Sequence, residues 1–165
     1  MLLHVMLDHG SFTGIRIGIS SVKAMVESLN IPVIDVSSLE ALAYNIENIN
    51  CKTICSLIDA RNNQVYCGIF DNNYNLLEDY LADDINNVLQ VLSKYENIVF
   101  VGDGAVFHKD LLNIQNFTYA NFIHSKNIAK CAYKKIKHNN TKTADTITPL
   151  YLRKSQAERM KQKNG

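Results

Sequence analysis

No run of apolar residues in this sequence approaches the ~18 that cross a bilayer, so a membrane-spanning helix is excluded. The N-terminus carries no basic segment and no A-x-A-like cleavage site, and no signal peptide is expected. Seven glycines and two prolines rule out a collagen-like chain, and heptads are not sustained enough for a coiled coil. Four cysteines, at 51, 55, 67 and 131, are too few and too scattered for a disulfide scaffold. Cys51 and Cys55 lack C-x-x-C spacing, and no second pair answers them. Cys55 and Cys67 fall in apolar runs, where reduced, buried thiols are expected. The five histidines (4, 9, 108, 124 and 138) form no H-E-x-x-H and no cluster with carboxylates. Neither a metal nor a cofactor is expected.

The 165 residues are 47% apolar and 20% charged, the composition of a globular domain or of two small lobes. A cytoplasmic α/β protein is expected. The net charge of +1 conceals a division at Ser125: residues 1–125 hold 6 basic against 14 acidic side chains, and residues 126–165 hold 11 against 2. An acidic body with a basic C-terminal surface suits contact with a polyanion. The alternative is compositional drift, since Lys, Asn and Ile are the residues an AT-rich genome accumulates.

Periodicity in the first 50 residues gives strand, helix, strand, helix. Leu2–Leu7 reads as a buried strand ending at Asp8-His9-Gly10. The helix that follows is N-capped by Ser11 and stopped by Asn30-Ile31-Pro32. Pro32–Val36 is a second buried strand. Ser37 and Glu40 then have the spacing of a capping box, opening a helix with Leu39, Leu42, Ala43 and Ile46 inward.

Beyond residue 50 the order changes. Lys52–Ala60 and Gln64–Phe70 read as a hairpin turning at Arg61-Asn62-Asn63, with a third strand at Leu76–Leu81. Asp83 or Asp84 caps a helix carrying Ile85, Val88, Leu89 and Leu92 on one face. Asn97–Val101 is a strand ending in Gly102-Asp103-Gly104, followed by a helix over Ala105–Leu112 and a weak strand near Phe117–Tyr119. The helix from Ser125 to about His138 is expected to bury Ile128, Ala129, Ala132, Tyr133 and Ile136. That leaves Lys126, Lys130, Lys134 and Lys137 outside. The resulting βββαβαβα order is that of a ribonuclease H-like lobe, the unit that actin-like ATPases carry in duplicate. The expected organisation is therefore an α/β actin-like fold: a truncated βαβα lobe over 1–50, a complete lobe over 51–140, and a basic strand or tail over 141–165.

The most specific stretch is Gly10-Ser11-Phe12-Thr13-Gly14-Ile15-Arg16-Ile17-Gly18. A Gly-rich turn opening a helix can cradle phosphate on free N–H groups, but this one is not G-x-x-x-x-G-K-[ST], and a tight βα turn also uses glycine. Phe12, Ile15, Ile19, Val22, Val26 and Leu29 form an apolar stripe along the helix, and Arg16, Ser20, Lys23 and Glu27 a polar one. Between them lie Gly14, Gly18, Ser21 and Met25. Glycine inside a helix costs about 1 kcal/mol against alanine, and small residues at this spacing let another helix approach closely. Docking of a partner and close packing within the chain's own fold both account for that face.

Gly10–Gly18, Ile31–Ala43, Ile58-Asp59-Ala60-Arg61 with Gln64-Val65-Tyr66, Val101–Ala105 and Pro149-Leu150-Tyr151-Leu152-Arg153 together resemble the TsaB family, over essentially the whole chain. The resemblance implies a doubled actin-like fold. It also implies a non-catalytic subunit in the N6-threonylcarbamoyl modification of tRNA adenosine 37. Its partners would be the catalytic paralogue TsaD and the ATPase TsaE, with tRNA met through the complex, no membrane contact, and self-association also open. In that family the helix after G-S-F-T-G belongs to a helical interface, which assigns Gly14, Gly18, Ser21 and Met25 to docking. Gly10, Ser11, Phe12, Thr13 and Arg16 form the family turn. Lys126, Lys130, Lys134, Lys137 and Arg153 become candidate tRNA contacts, strongly salt-dependent if so.

There are departures from the family. The I-D-T-S strand that usually begins such chains, with the strands and helix after it, is not found, and Asp8-His9 stands where Gly-Pro is usual. A shortened chain is expected, in which loss of the first strand deprives Leu2–Leu7 of a neighbour and leaves an apolar edge, and in which docking is weakened. The competing reading is an actin-like nucleotide hydrolase or a glycoprotease-like peptidase. Hydrolysis would need an acidic site whose main Asp sits on the first strand, and peptidase chemistry a nucleophile–base pair or zinc ligands. The sequence presents neither.

Overall fold

The computed structural model describes residues 3–6, 12–47, 51–112 and 121–152. Among these, two sheets form. In the smaller, β1 (Leu3–Met6) pairs in parallel with β2 (Val33–Val36), and α1 (Phe12–Leu29) is the crossover between them. The larger sheet contains β3 (Thr53–Asp59), β4 (Gln64–Asp71), β5 (Leu81–Asp84) and β6 (Ile98–Val101), in the order β5-β4-β3-β6. Its β3–β4 and β4–β5 pairs are antiparallel, and β6 lies parallel to β3.

β2 is covered on both faces, which is why its sequence is nearly all apolar. Val33 packs with Ile19 and Val26 of α1 and with Ile147. Ile34 and Val36 face the other way, toward Ala41, Tyr44, Cys131 and Ala132. The helix α2 (Ser38–Ala43) joins the two sheets. Ala41 belongs to the layer on β2, while Leu39, Leu42 and Ala43 pack on Ile54, Ile58, Phe70, Val99 and Val101 of the larger sheet. The opposite face of that sheet, with Cys55, Leu57, Val65, Cys67 and Ile69, is closed by Ile85, Val88 and Leu92 of α3 (Ile85–Leu92).

Local chemistry sets the element ends as the sequence suggests. Ser37 Oγ accepts the Leu39 N–H at 3.2 Å and Glu40 reaches back to the Ser37 N–H, completing the capping box. Asp84 caps α3 by accepting the Asn86 N–H at 2.9 Å. The β3–β4 hairpin turns through Arg61, Asn62 and Asn63, all left-handed, with φ of 61°, 54° and 64°. α1 stops in a Schellman motif: Asn30 has φ 48°, its N–H bonds Glu27 O, and the Ile31 N–H bonds Val26 O. Residue 142 adds an antiparallel bridge to Val33 at the edge of the small sheet.

Three expectations are corrected. The third strand of the larger sheet is Leu81–Asp84, not Leu76–Leu81; Leu76 makes only an isolated bridge to Phe70. As a half-exposed edge strand ending in two aspartates, β5 carries no alternating pattern for a sequence reading to find. The helix expected over Ala105–Leu112 is two short ones, α4 (Asp103–Phe107) and α5 (Lys109–Leu112). The third correction concerns α6 (Ser125–Lys137), which is rotated about its axis: Asn127, Cys131 and Ala132 are buried, Ala129 is exposed, and Tyr133 is 60% exposed. Polar partners account for the rotation. Asn127 donates to Asn45 Oδ1 at 2.6 Å, and Lys135 Nζ donates to Asp35 O and Glu40 Oε2, each at 2.8 Å. The strand expected near Phe117–Tyr119 lies outside the described residues.

Candidate partner-binding surface

α1 is seated by one stripe. Ile19 and Val26 are buried, Ile15 and Val22 are half-buried, and all four pack toward Val33 and Ile147. Leu29, expected in that stripe, is 55% exposed because the chain turns away at Asn30. The small-residue face points outward. Gly14, Gly18, Ser21 and Met25 are all exposed, and beside them Ile17 is 63% exposed. A Cβ added at Gly18 would meet no described atom within 4 Å. Ser21 Oγ satisfies itself by donating to Ile17 O at 3.0 Å. Close packing against the described part of the chain therefore does not account for Gly18.

The family turn is partly visible. Gly10 and Ser11 lie outside the described residues, Phe12 and Thr13 open α1, and Arg16 reaches the C-terminal segment. Arg16 Nε donates to Tyr151 Oη at 2.9 Å, and its guanidinium lies 5.7 Å from the Tyr151 ring centroid. The first and last sequence blocks thus meet at the rim of the exposed helix face. Nothing in the sequence pattern signalled Tyr151 as a neighbour of α1.

The Val101–Ala105 block has a local structural role. Gly102 has φ 106°, and a Cβ there would lie 2.1 Å from Leu57 O. A Cβ on Gly104 would lie 3.0 Å from the Leu57 and Ile58 backbone. Asp103 Oδ1 accepts the Asp59 N–H at 3.1 Å, so the β6–α4 turn is clamped onto the end of β3. Beside this turn is a cavity of about 520 Å³, lined by Leu42, Ile58, Asp103, Phe107 and Phe122. Among the described residues, no three His, Cys, Asp or Glu side chains converge as metal ligands would.

The lysines of α6 divide by partner. Lys134 Nζ donates to Asn73 O at 2.7 Å and Asn75 Oδ1 at 2.8 Å. Lys130 and, at 3.8 Å, Lys126 pair with Glu47, whose carboxyl is held below its usual range by the Lys130 hydrogen bond and charge and by the Lys126 charge. Lys137 Nζ lies 4.6 Å from the Tyr133 ring centroid. Arg153 lies outside the described residues. The thiols are all free and buried, with Cys55 Sγ 3.7 Å from Cys67 Sγ. No helix among the described residues is long and apolar enough to cross a membrane.

A three-stranded meander, a fourth strand beside its first and helices on both faces define an α/β protein of the ribonuclease H-like, actin-like class. Known proteins agree with this. A family model described as "TsaD: tRNA N6-adenosine threonylcarbamoyltransferase" matches residues 10–161. The tRNA threonylcarbamoyladenosine biosynthesis protein TsaB of Bacillus subtilis (strain 168) is 32% identical over 157 residues, which span 90% of this chain and 68% of that protein. The solved structure of YeaZ from Pseudomonas aeruginosa superposes with a TM-score of 0.74 at 20% identity, over 90% of this chain and 73% of that one. A second crystal structure is of an uncharacterized protein with similarity to peptidase YeaZ from Pseudomonas aeruginosa. It gives 0.71 at 21% identity, over 91% and 73%. The chain belongs to the TsaB branch of the TsaD-like family.

Proposed function

We propose that this chain is a non-catalytic subunit in tRNA threonylcarbamoyladenosine biosynthesis that docks a TsaD-type transferase through the outward face of α1. The observation that carries the reading is Gly18, a helix-interior glycine with open space where its side chain would be. Its helix-propensity cost of about 1 kcal/mol is recovered only if a second backbone comes close there. The exposed Ile17, Met25 and Leu29 around it supply apolar area for such a contact. The TsaB relative's role in the same biosynthesis supports the choice of partner. A TsaE-type ATPase would join that complex, tRNA would be met through it, and self-association would compete for the same face.

Co-purification with a TsaD-type subunit tests the reading. Gly18→Leu should abolish association while leaving thermal unfolding of the free chain unchanged or raised, because the site has room for the side chain. Retention of the complex by Gly18→Leu would overturn the assignment of the face. Turnover of ATP or of a peptide by the purified chain would overturn the non-catalytic role.

A further inference from the structure

Tyr133 was expected in the core and is instead on the surface, in the middle of the α6 lysines. Lys126, Lys130, Tyr133 and Lys137 recur at steps of four, three and four residues, which places them along one side of the helix. Lys126, Lys130 and Lys137 are exposed, whereas Lys134 and Lys135 have their ammonium groups committed to partners on the body. Glu47 is the acid that pairs with Lys126 and Lys130 here. The side is therefore net positive, with one aromatic ring at its centre and a cation at 4.6 Å from that ring.

We infer that this side of α6 binds RNA at a single-stranded loop, with Tyr133 as a stacking surface and Lys126, Lys130 and Lys137 as phosphate contacts. Charge complementarity selects a polyanion, and the ring selects one with unpaired bases. Bases stack on exposed aromatic rings in single strands and loops, whereas a paired A-form helix keeps its bases from such a ring. An interfacial membrane helix would need a broader apolar face than Ala129, Tyr133 and Ile136 provide. The site uses none of the docking residues of α1, so it stands or falls separately from the contact with a transferase.

The test is fluorescence anisotropy of the free chain with a labelled RNA hairpin, and with a fully paired RNA of the same length. The hairpin should bind better. Neutralising two or three phosphates should make its binding roughly 7- to 20-fold weaker at about 200 mM salt than at about 50 mM. Tyr133→Ala should weaken hairpin binding by about 5- to 150-fold, and Tyr133→Phe should restore it. Lys137→Glu should weaken binding, and Glu47→Gln, which frees two lysines, should tighten it. Absence of hairpin binding at low salt, equal affinity for paired RNA, or no loss with Tyr133→Ala would overturn the inference. So would binding to anionic lipid vesicles through α6 without binding to the hairpin.

Discussion

Lys135 Nζ lies 2.8 Å from Glu40 Oε2, and with side chains 20% and 16% exposed the two form the least exposed ion pair among the described residues. The same ammonium donates to Asp35 O at 2.8 Å, and Glu40 also closes the capping box of α2. One lysine thus joins α6, β2 and the helix that lies between the two sheets. Lys135→Ala should lower stability by about 1–3 kcal/mol, because it takes the ammonium donor from the Asp35 carbonyl and leaves the half-buried Glu40 carboxylate with the long Ser37 N–H contact in place of its ion pair. Lys137→Ala, on the outward side of the same helix, should change it by no more than about 0.5 kcal/mol. Urea unfolding followed by circular dichroism measures both.

Gly102 permits no side chain. Its φ of 106° disfavours any L residue, and a Cβ would lie 2.1 Å from Leu57 O in the middle of the fold. Gly102→Ala should cost about 3 kcal/mol or more, since the β6–α4 turn must lift off β3. The same assay should show Gly18→Ala raising stability by up to about 1 kcal/mol. The contrast separates a glycine fixed by the chain's own packing from one that the described fold does not need.

The strands and helices that bury a continuous apolar face were legible in the sequence: β2, β3, β4, α1 and α3 fall within a residue or two of their expected spans. Capping chemistry was equally legible at Ser37, Glu40 and Asp84. The failures have a common physical cause. β5 is an edge strand with charged residues and no inward alternation, so its pattern is weak. In α6, hydrophobicity pointed to Tyr133 and Ile136 as core, but the inward positions belong to Asn127, Cys131 and Lys135, whose burial depends on partners 82 to 100 residues away in the chain. The candidate docking face was visible as a row of small residues, yet only the fold shows that nothing described lies over Gly18.

The four thiols should be inert in the folded protein. Burial and the nearby Glu40 carboxylate raise the Cys131 thiol to about 12, and burial pushes Cys55 and Cys51 up as well. Because all four are buried, reaction with a thiol-specific disulfide reagent should be negligible in buffer and should reach all four cysteines in denaturant. The reaction rate at Cys131 then reports the opening of α6 from β2. Lys135→Ala should accelerate it if Lys135 holds that layer closed.

Asp71 ties its stability contribution to pH through the β4–β5 turn. Burial pushes its carboxyl up, but the Asn75 and Asn73 N–H groups, the Asn75 side chain and the Lys134 charge outweigh this and hold it below 3.8. Oδ1 accepts the N–H groups of Asn73 and Asn75, both at 2.8 Å, and Oδ2 accepts the Asn75 amide at 2.8 Å. A carboxyl depressed in the folded state stabilises fully above its unfolded value and loses that contribution as pH falls through the folded value. Asp71→Asn keeps an acceptor but removes the charge, so it should cost roughly 1 kcal/mol at neutral pH. The difference from the parent should shrink as pH falls below 3.8, in urea unfolding series run across the acid range. Lys134→Met should reduce this pH dependence without abolishing it, because the backbone donors to Asp71 remain. An Asp71→Asn difference that stayed constant down to the acid limit would show that the turn does not depend on the ionised carboxylate.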